Sequence, residues 1–137
     1  MDELDRTEVI ETLLRAGDYE AAEHFASSVE EDWQRAESLA QVARTLVSIG
    51  KLEDARRIWE KAIITAQVGE NSPSSQDSMD SSSVLWEIAE DIALAGDMER
   101  ARKIASQIKN ERKKEWALKG LEKIANGGKG SFYNGRV

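Results

Sequence analysis

Gly17-Asp18-Tyr19-Glu20-Ala21-Ala22 recurs as Gly50-Lys51-Leu52-Glu53-Asp54-Ala55 and again as Gly96-Asp97-Met98-Glu99-Arg100-Ala101. Each copy reads glycine, a polar residue, a large apolar residue, two polar or small residues, then alanine. The glycines stand 33 and then 46 residues apart, and the surplus of 13 in the second interval matches a polar stretch running from Glu70 to Ser83. Seven of the twelve residues from Ser72 to Ser83 are serine, the composition of a flexible insertion. With that stretch set aside the period is nearly constant, and a constant period marks an array of one supersecondary unit.

Both flanks of each glycine carry helical spacing. Ala36, Leu39, Val42, Ala43 and Leu46 precede Gly50, while Leu85, Ile88, Ala89 and Ile92 precede Gly96. Tyr19, Ala22, Phe25 and Ala26 follow Gly17; Leu52, Ala55, Ile58, Trp59 and Ala62 follow Gly50; Met98, Ala101, Ile104, Ala105 and Ile108 follow Gly96. Steps of three and four lay these residues along one stripe of each helix. Glycine takes the left-handed conformation that ends a helix, and Asp18 and Asp97 are placed to cap the next one. The pattern predicts about seven helices, at 3–16, 18–31, 33–49, 51–68, 83–95, 97–109 and 111–126. They group as repeat 1 (3–31), repeat 2 (33–68), a Ser-rich insertion (69–83), repeat 3 (83–109) and a C-terminal capping helix (111–126). Together these make one helical repeat domain over 1–126, followed by a flexible Gly-rich tail over 127–137.

A period near 34, a helix–turn–helix unit, and Gly-Asp-Tyr followed by alanine resemble the tetratricopeptide repeat (TPR). The turn and second-helix signature lies on Gly17, Tyr19, Ala22 and Ala26, on Gly50, Leu52, Ala55, Trp59 and Ala62, and on Gly96, Met98, Ala101 and Ala105. The first-helix signature lies on Leu39, Val42, Ala43 and Leu46 and on Leu85, Ile88, Ala89 and Ile92. The match covers roughly 4–67 and 83–126. It departs from the family in lacking the proline that closes the second helix and in placing Arg6 where a large apolar residue is usual. The resemblance implies an all-α fold, a right-handed α-solenoid of about three TPR-like repeats plus a capping helix. One hairpin cannot bury its stripe alone, so stability is expected to come from packing between neighbours.

Composition narrows the functional classes. The chain has no Cys and one His, which excludes disulfides, thiolate chemistry and multi-histidine metal centres. No apolar run approaches the ~20 residues of a membrane span. The acidic opening Met1–Asp5 is not a secretory signal, and a cytoplasmic location is the simplest expectation. The net charge of −7 conceals a division: residues 1–99 hold 23 acids and 8 bases, residues 100–137 hold 3 acids and 11 bases. That polarity allows homo-oligomers through complementary ends, or an anionic partner at the basic helices. Nucleic acid is disfavoured by the acidic chain and by the single Trp116 among those bases.

No catalytic constellation, metal-ligand spacing or cofactor motif stands out. His24 is isolated between Glu23 and Phe25, and Gly127-Gly128-Lys129-Gly130-Ser131 lacks the order of a phosphate loop. The expectation is therefore a non-enzymatic protein–protein interaction module without cofactor or metal. In the family resembled, one face of the first helices lines a concave groove that holds a peptide or helix. The residues on that face here are Glu11 and Arg15, Arg44 and Ser48, Trp86 and Glu90, and Lys119 in the last helix. Thr7, Glu11, Ala40 and Arg44 stand where a chaperone-tail clamp has its Lys, Arg and Asn, so that ligand is rejected. The alternatives are a self-associating or nucleic-acid-binding scaffold using the basic helices, or the regulatory repeat arm of a larger sensor. Of the other tryptophans, Trp59 is expected in the core, and Trp33 and Trp116 at junctions between units.

Overall fold

The computed structural model describes residues 5–130. Among them are seven α-helices and no strand: α1 (Arg6–Arg15), α2 (Tyr19–Ser27), α3 (Asp32–Ser48), α4 (Leu52–Glu70), α5 (Ser75–Leu94), α6 (Met98–Ser106) and α7 (Glu111–Ala125). The first two positions of the expected opening helix, 3 and 4, and positions 131–137 of the expected Gly-rich tail lie outside the described residues.

The three signature glycines end α1, α3 and α5 in one way. Gly17, Gly50 and Gly96 have φ of 78°, 84° and 104°. In each turn the amide after the glycine donates to the carbonyl five residues back: Asp18 to Leu13, Lys51 to Leu46, Asp97 to Ile92, at 2.8–3.1 Å. This six-to-one closure satisfies carbonyls that a helix end otherwise leaves open. Asp18 then accepts from the Ala21 amide and Asp97 from the Arg100 amide, each at 3.2 Å, which starts α2 and α6.

The serine-rich stretch departs from the expected insertion. α4 runs on to Glu70, and α5 begins at Ser75, so most of 69–83 is helical. Ser74 caps α5 by accepting from the Asp77 amide at 3.3 Å. The Ser78 hydroxyl donates to the Glu70 carbonyl at 2.9 Å, and Ser81 and Ser82 are buried. Serine composition favours loops because its hydroxyl competes for backbone groups. Here small size matters more, since Ser81 and Ser82 occupy core positions much as alanine would.

The packing divides the chain into two units, Met1–Thr65 and Ala66–Val137, with the division inside α4. In the first unit α1 packs on α2 and α3, and α2 packs on α3. Ile10, Leu39, Val42 and Ile58 are its largest fully buried apolar side chains. Several of its long-range contacts share one sequence separation. Gln41 donates to the Thr7 carbonyl, Arg57 to Glu23, and Lys61 to Ser27, each across 34 residues. Equivalent helices therefore lie beside one another with the spacing of the repeat. Arg6, anomalous as a core residue, reaches sideways instead: it stacks 5.5 Å from the Trp33 ring centroid and bonds Glu37 at 2.7 Å.

In the second unit α5 packs on both α6 and α7, and α6 packs on α7. Leu85, Ile88, Ile104 and Leu121 form the centre of its core. Burial of each such side chain is worth about 1.5–3 kcal/mol. Ala22, Ala55 and Ala101, the alanines of the repeated motif, are each 0 % exposed. Trp59 is 4 % exposed, as expected of a core residue. Glu70 is buried where α4 ends: its Oε2 accepts from the Ser82 hydroxyl at 2.6 Å and from the Lys109 amide at 2.9 Å. One carboxylate thus ties the end of α4 to α5 and to the turn before α7.

Candidate functional site

The seven residues expected on a binding face fall in both units, four in the first and three in the second. In the first, Glu11 and Arg15 are exposed and face each other at 3.6 Å one turn apart on α1. Arg44 is half-buried on α3, and the Ser48 hydroxyl, at the end of the same helix, donates to the Thr45 carbonyl at 2.6 Å. In the second, Trp86 and Glu90 are brought together on α5: the indole Nε1–H donates to Glu90 Oε2 at 2.7 Å. Lys119 lies on α7 and pairs with Glu115 at 3.1 Å, both side chains well exposed.

Two features of the second set were not legible beforehand. Glu90 is 0 % exposed, a buried carboxylate on the same helix as buried Glu87 and Asp91. Trp116, expected at a junction, is 41 % exposed, with its ring centroid 5.6 Å from that of Trp86 and tilted by 44°. The Arg112 guanidinium lies 6.0 Å from the centre of the Trp116 ring. Tilted aromatic pairs and cation–ring contacts at these distances are each worth about 0.5–1.5 kcal/mol. The result is an aromatic pair, one ring held by a buried carboxylate and the other facing outward beneath a guanidinium.

Burial also changes the charge that this unit presents. Ala66–Val137 contains eleven acids and eleven bases. Four of the acids, Glu70, Glu87, Glu90 and Asp91, are buried, whereas no Lys or Arg among its described residues is. That leaves seven unburied acids against ten Lys and Arg among the described residues of this unit, and one of those bases, Arg112, lies at the aromatic pair. Sequence counting missed this because it weights a buried acid like an exposed one.

The first unit carries its own charged network between α2 and α4. Arg57 grips Glu23 with both guanidinium nitrogens at 2.7 and 2.8 Å, and Lys61 adds a bond at 2.9 Å. The hydrogen bonds from Arg57, opposed by partial burial and aided by Lys61, hold the Glu23 carboxyl down to about 2. A hollow of about 390 Å³ lies beside this network, edged by Tyr19, Glu20, Lys51 and Asp54. The Lys51 ammonium stands 5.9 Å from the centre of the Tyr19 ring. The signal in the sequence was the 34-residue separation of Glu23 from Arg57, one repeat apart.

A pH dependence follows. A carboxyl with a depressed folded value stabilises the fold above its unfolded value near 4.5 and loses that contribution as pH falls through about 2. Arg57 and Lys61 are roughly half exposed, so solvent screening limits the contribution to about 1 kcal/mol. Urea unfolding at pH 4.5 and at pH 2 should show the wild type losing about that much more stability than Glu23→Gln. Equal losses would mean that the network contributes nothing.

Comparison with family models, curated proteins and solved structures finds no match for this chain. Among the described residues, no group of three or more His, Cys, Asp or Glu is placed to hold a metal ion, and no helix is long and apolar enough to cross a membrane.

Proposed function

We propose that this chain is a non-enzymatic interaction module whose repeated helical hairpins, resembling tetratricopeptide repeats, hold a peptide or helix of a partner protein. In this reading about three hairpins stack as a right-handed solenoid, with α7 as the capping helix. The observation that carries the proposal is Trp116: 41 % exposed, paired with Trp86 and overlaid by Arg112. Tryptophan and arginine are the residue types that most often anchor interfaces, and a large aromatic left in water is otherwise disfavoured. The Arg112 guanidinium over that ring favours a partner segment that carries an acid beside an apolar anchor.

Affinity capture with the whole chain, quantified for wild type and for Trp116→Ala, tests the reading. Trp116 is exposed, so its removal leaves the core intact. Loss of an anchoring tryptophan costs about 2 kcal/mol or more, a fall in affinity of roughly thirtyfold. Captured partners should also elute as salt rises. Identical recovery by wild type and variant would move the binding face elsewhere.

A further inference from the structure

α7 ends as α1, α3 and α5 do. Gly127 has φ 90°, and the Gly128 amide donates to the Lys123 carbonyl five residues back at 2.7 Å. By the logic of the repeat a second helix should start here, as α2, α4 and α6 start after Gly17, Gly50 and Gly96. It does not: residues 128–130 are non-helical. The chain instead brings Gly130 back to α5, where it is buried with φ 86°. A Cβ placed on Gly130 would overlap Glu90 Oε1 and stand 2.9 Å from Glu90 Cδ and 3.0 Å from Ile124 Cδ1. Glu90 is in no position to swing aside, because it is fully buried and its other oxygen holds the Trp86 indole. The left-handed backbone and the close approach both demand glycine.

Gly130 thus lies on the carboxylate that positions Trp86, half of the aromatic pair assigned above to the partner. Resting on that assignment, we infer that the Trp86–Glu90 surface of α5 is a seat for a non-helical, glycine-containing peptide, and that residues 127–130 occupy it as a built-in competitor. The partner class is then narrower than any peptide or helix. It is a non-helical segment with a glycine that settles on Glu90 and an acid within reach of Arg112. An occupant carried on the same chain acts at an effective concentration on the order of millimolar, so a free peptide must outcompete it.

The indole N–H signals of ¹⁵N-labelled full-length protein report on this seat. The chain has four tryptophans, so the signals of Trp33, Trp59, Trp86 and Trp116 can be assigned by single Trp→Phe changes. Gly130→Val should shift the Trp86 signal and leave those of Trp33 and Trp59 in place. Gly130 is outside every helix, and unchanged far-ultraviolet circular dichroism will confirm that the variant is folded. Unlabelled peptide of residues 126–137, added to millimolar concentration, should return the Trp86 signal of Gly130→Val toward its wild-type position. Its midpoint should be at least about fivefold lower than that of any shift seen with wild type. Lys103→Ala, an exposed change on α6 outside the occupying segment, should behave as wild type. A Trp86 signal unmoved by Gly130→Val, no return on adding peptide, or equal midpoints in both proteins would overturn the inference. Loss of capture by Trp116→Ala together with any of those results would retain the interaction module and reject only its internal competitor.

Discussion

Glu70→Ala is expected to lower the unfolding free energy by about 3 kcal/mol, measured by urea denaturation at neutral pH. The substitution removes the acceptor for two donors at once, the Ser82 hydroxyl at 2.6 Å and the Lys109 amide at 2.9 Å. Ser82 is 0 % exposed and Glu70 is 5 % exposed, so water does not readily replace the lost oxygen. A buried donor left unsatisfied costs about 1–3 kcal/mol, and two are affected. Both donors use Oε2, so Glu70→Gln keeps an oxygen that can accept from each and should lose less than Glu70→Ala. A Glu70→Ala protein within about 0.5 kcal/mol of wild type would show that the carboxylate is not a tie between α4, α5 and the turn before α7.

Ala55→Leu should destabilise by about 1–3 kcal/mol through overpacking. Ala55 is 0 % exposed on α4 and occupies the same place in the repeated motif as Ala22 and Ala101, both equally buried. At such a position three further carbon atoms force either a strained rotamer or separation of the helices. Arg56→Leu, one residue on and exposed, is the control and should lie within about 0.5 kcal/mol of wild type. A thermal melt in which both variants match wild type would mean that the motif alanine is not small for reasons of packing.

The helices and turns were largely legible because their causes are local. Gly17, Gly50 and Gly96 punctuate the chain, Asp18 and Asp97 cap it, and apolar steps of three and four mark the buried stripes. The serine-rich segment failed for a local reason as well: composition is read as solvation, yet a serine loses little by burial when its hydroxyl finds a partner, as Ser82 does with Glu70. Of the expected Gly-rich tail only 127–130 are among the described residues, and there Gly127 repeats the helix-ending turn while Gly130 makes a close approach to Glu90.

The site was legible in part. Trp86 could be singled out because it sits off the Leu85–Ile88–Ala89–Ile92 stripe. Its companion Trp116 could not, since thirty residues separate them and helical spacing carries no information about which faces of α5 and α7 meet.

Short-range chemistry therefore settled the rods, their ends and their period, because backbone conformation and amphipathic spacing depend on neighbours a few residues away. Which carboxylates leave water, which aromatic rings meet, and where the chain goes after α7 depend on contacts between residues far apart in order. Glu70, Glu87, Glu90 and Asp91 look like solvated acids when counted along the chain, and only the folded packing takes them out of water.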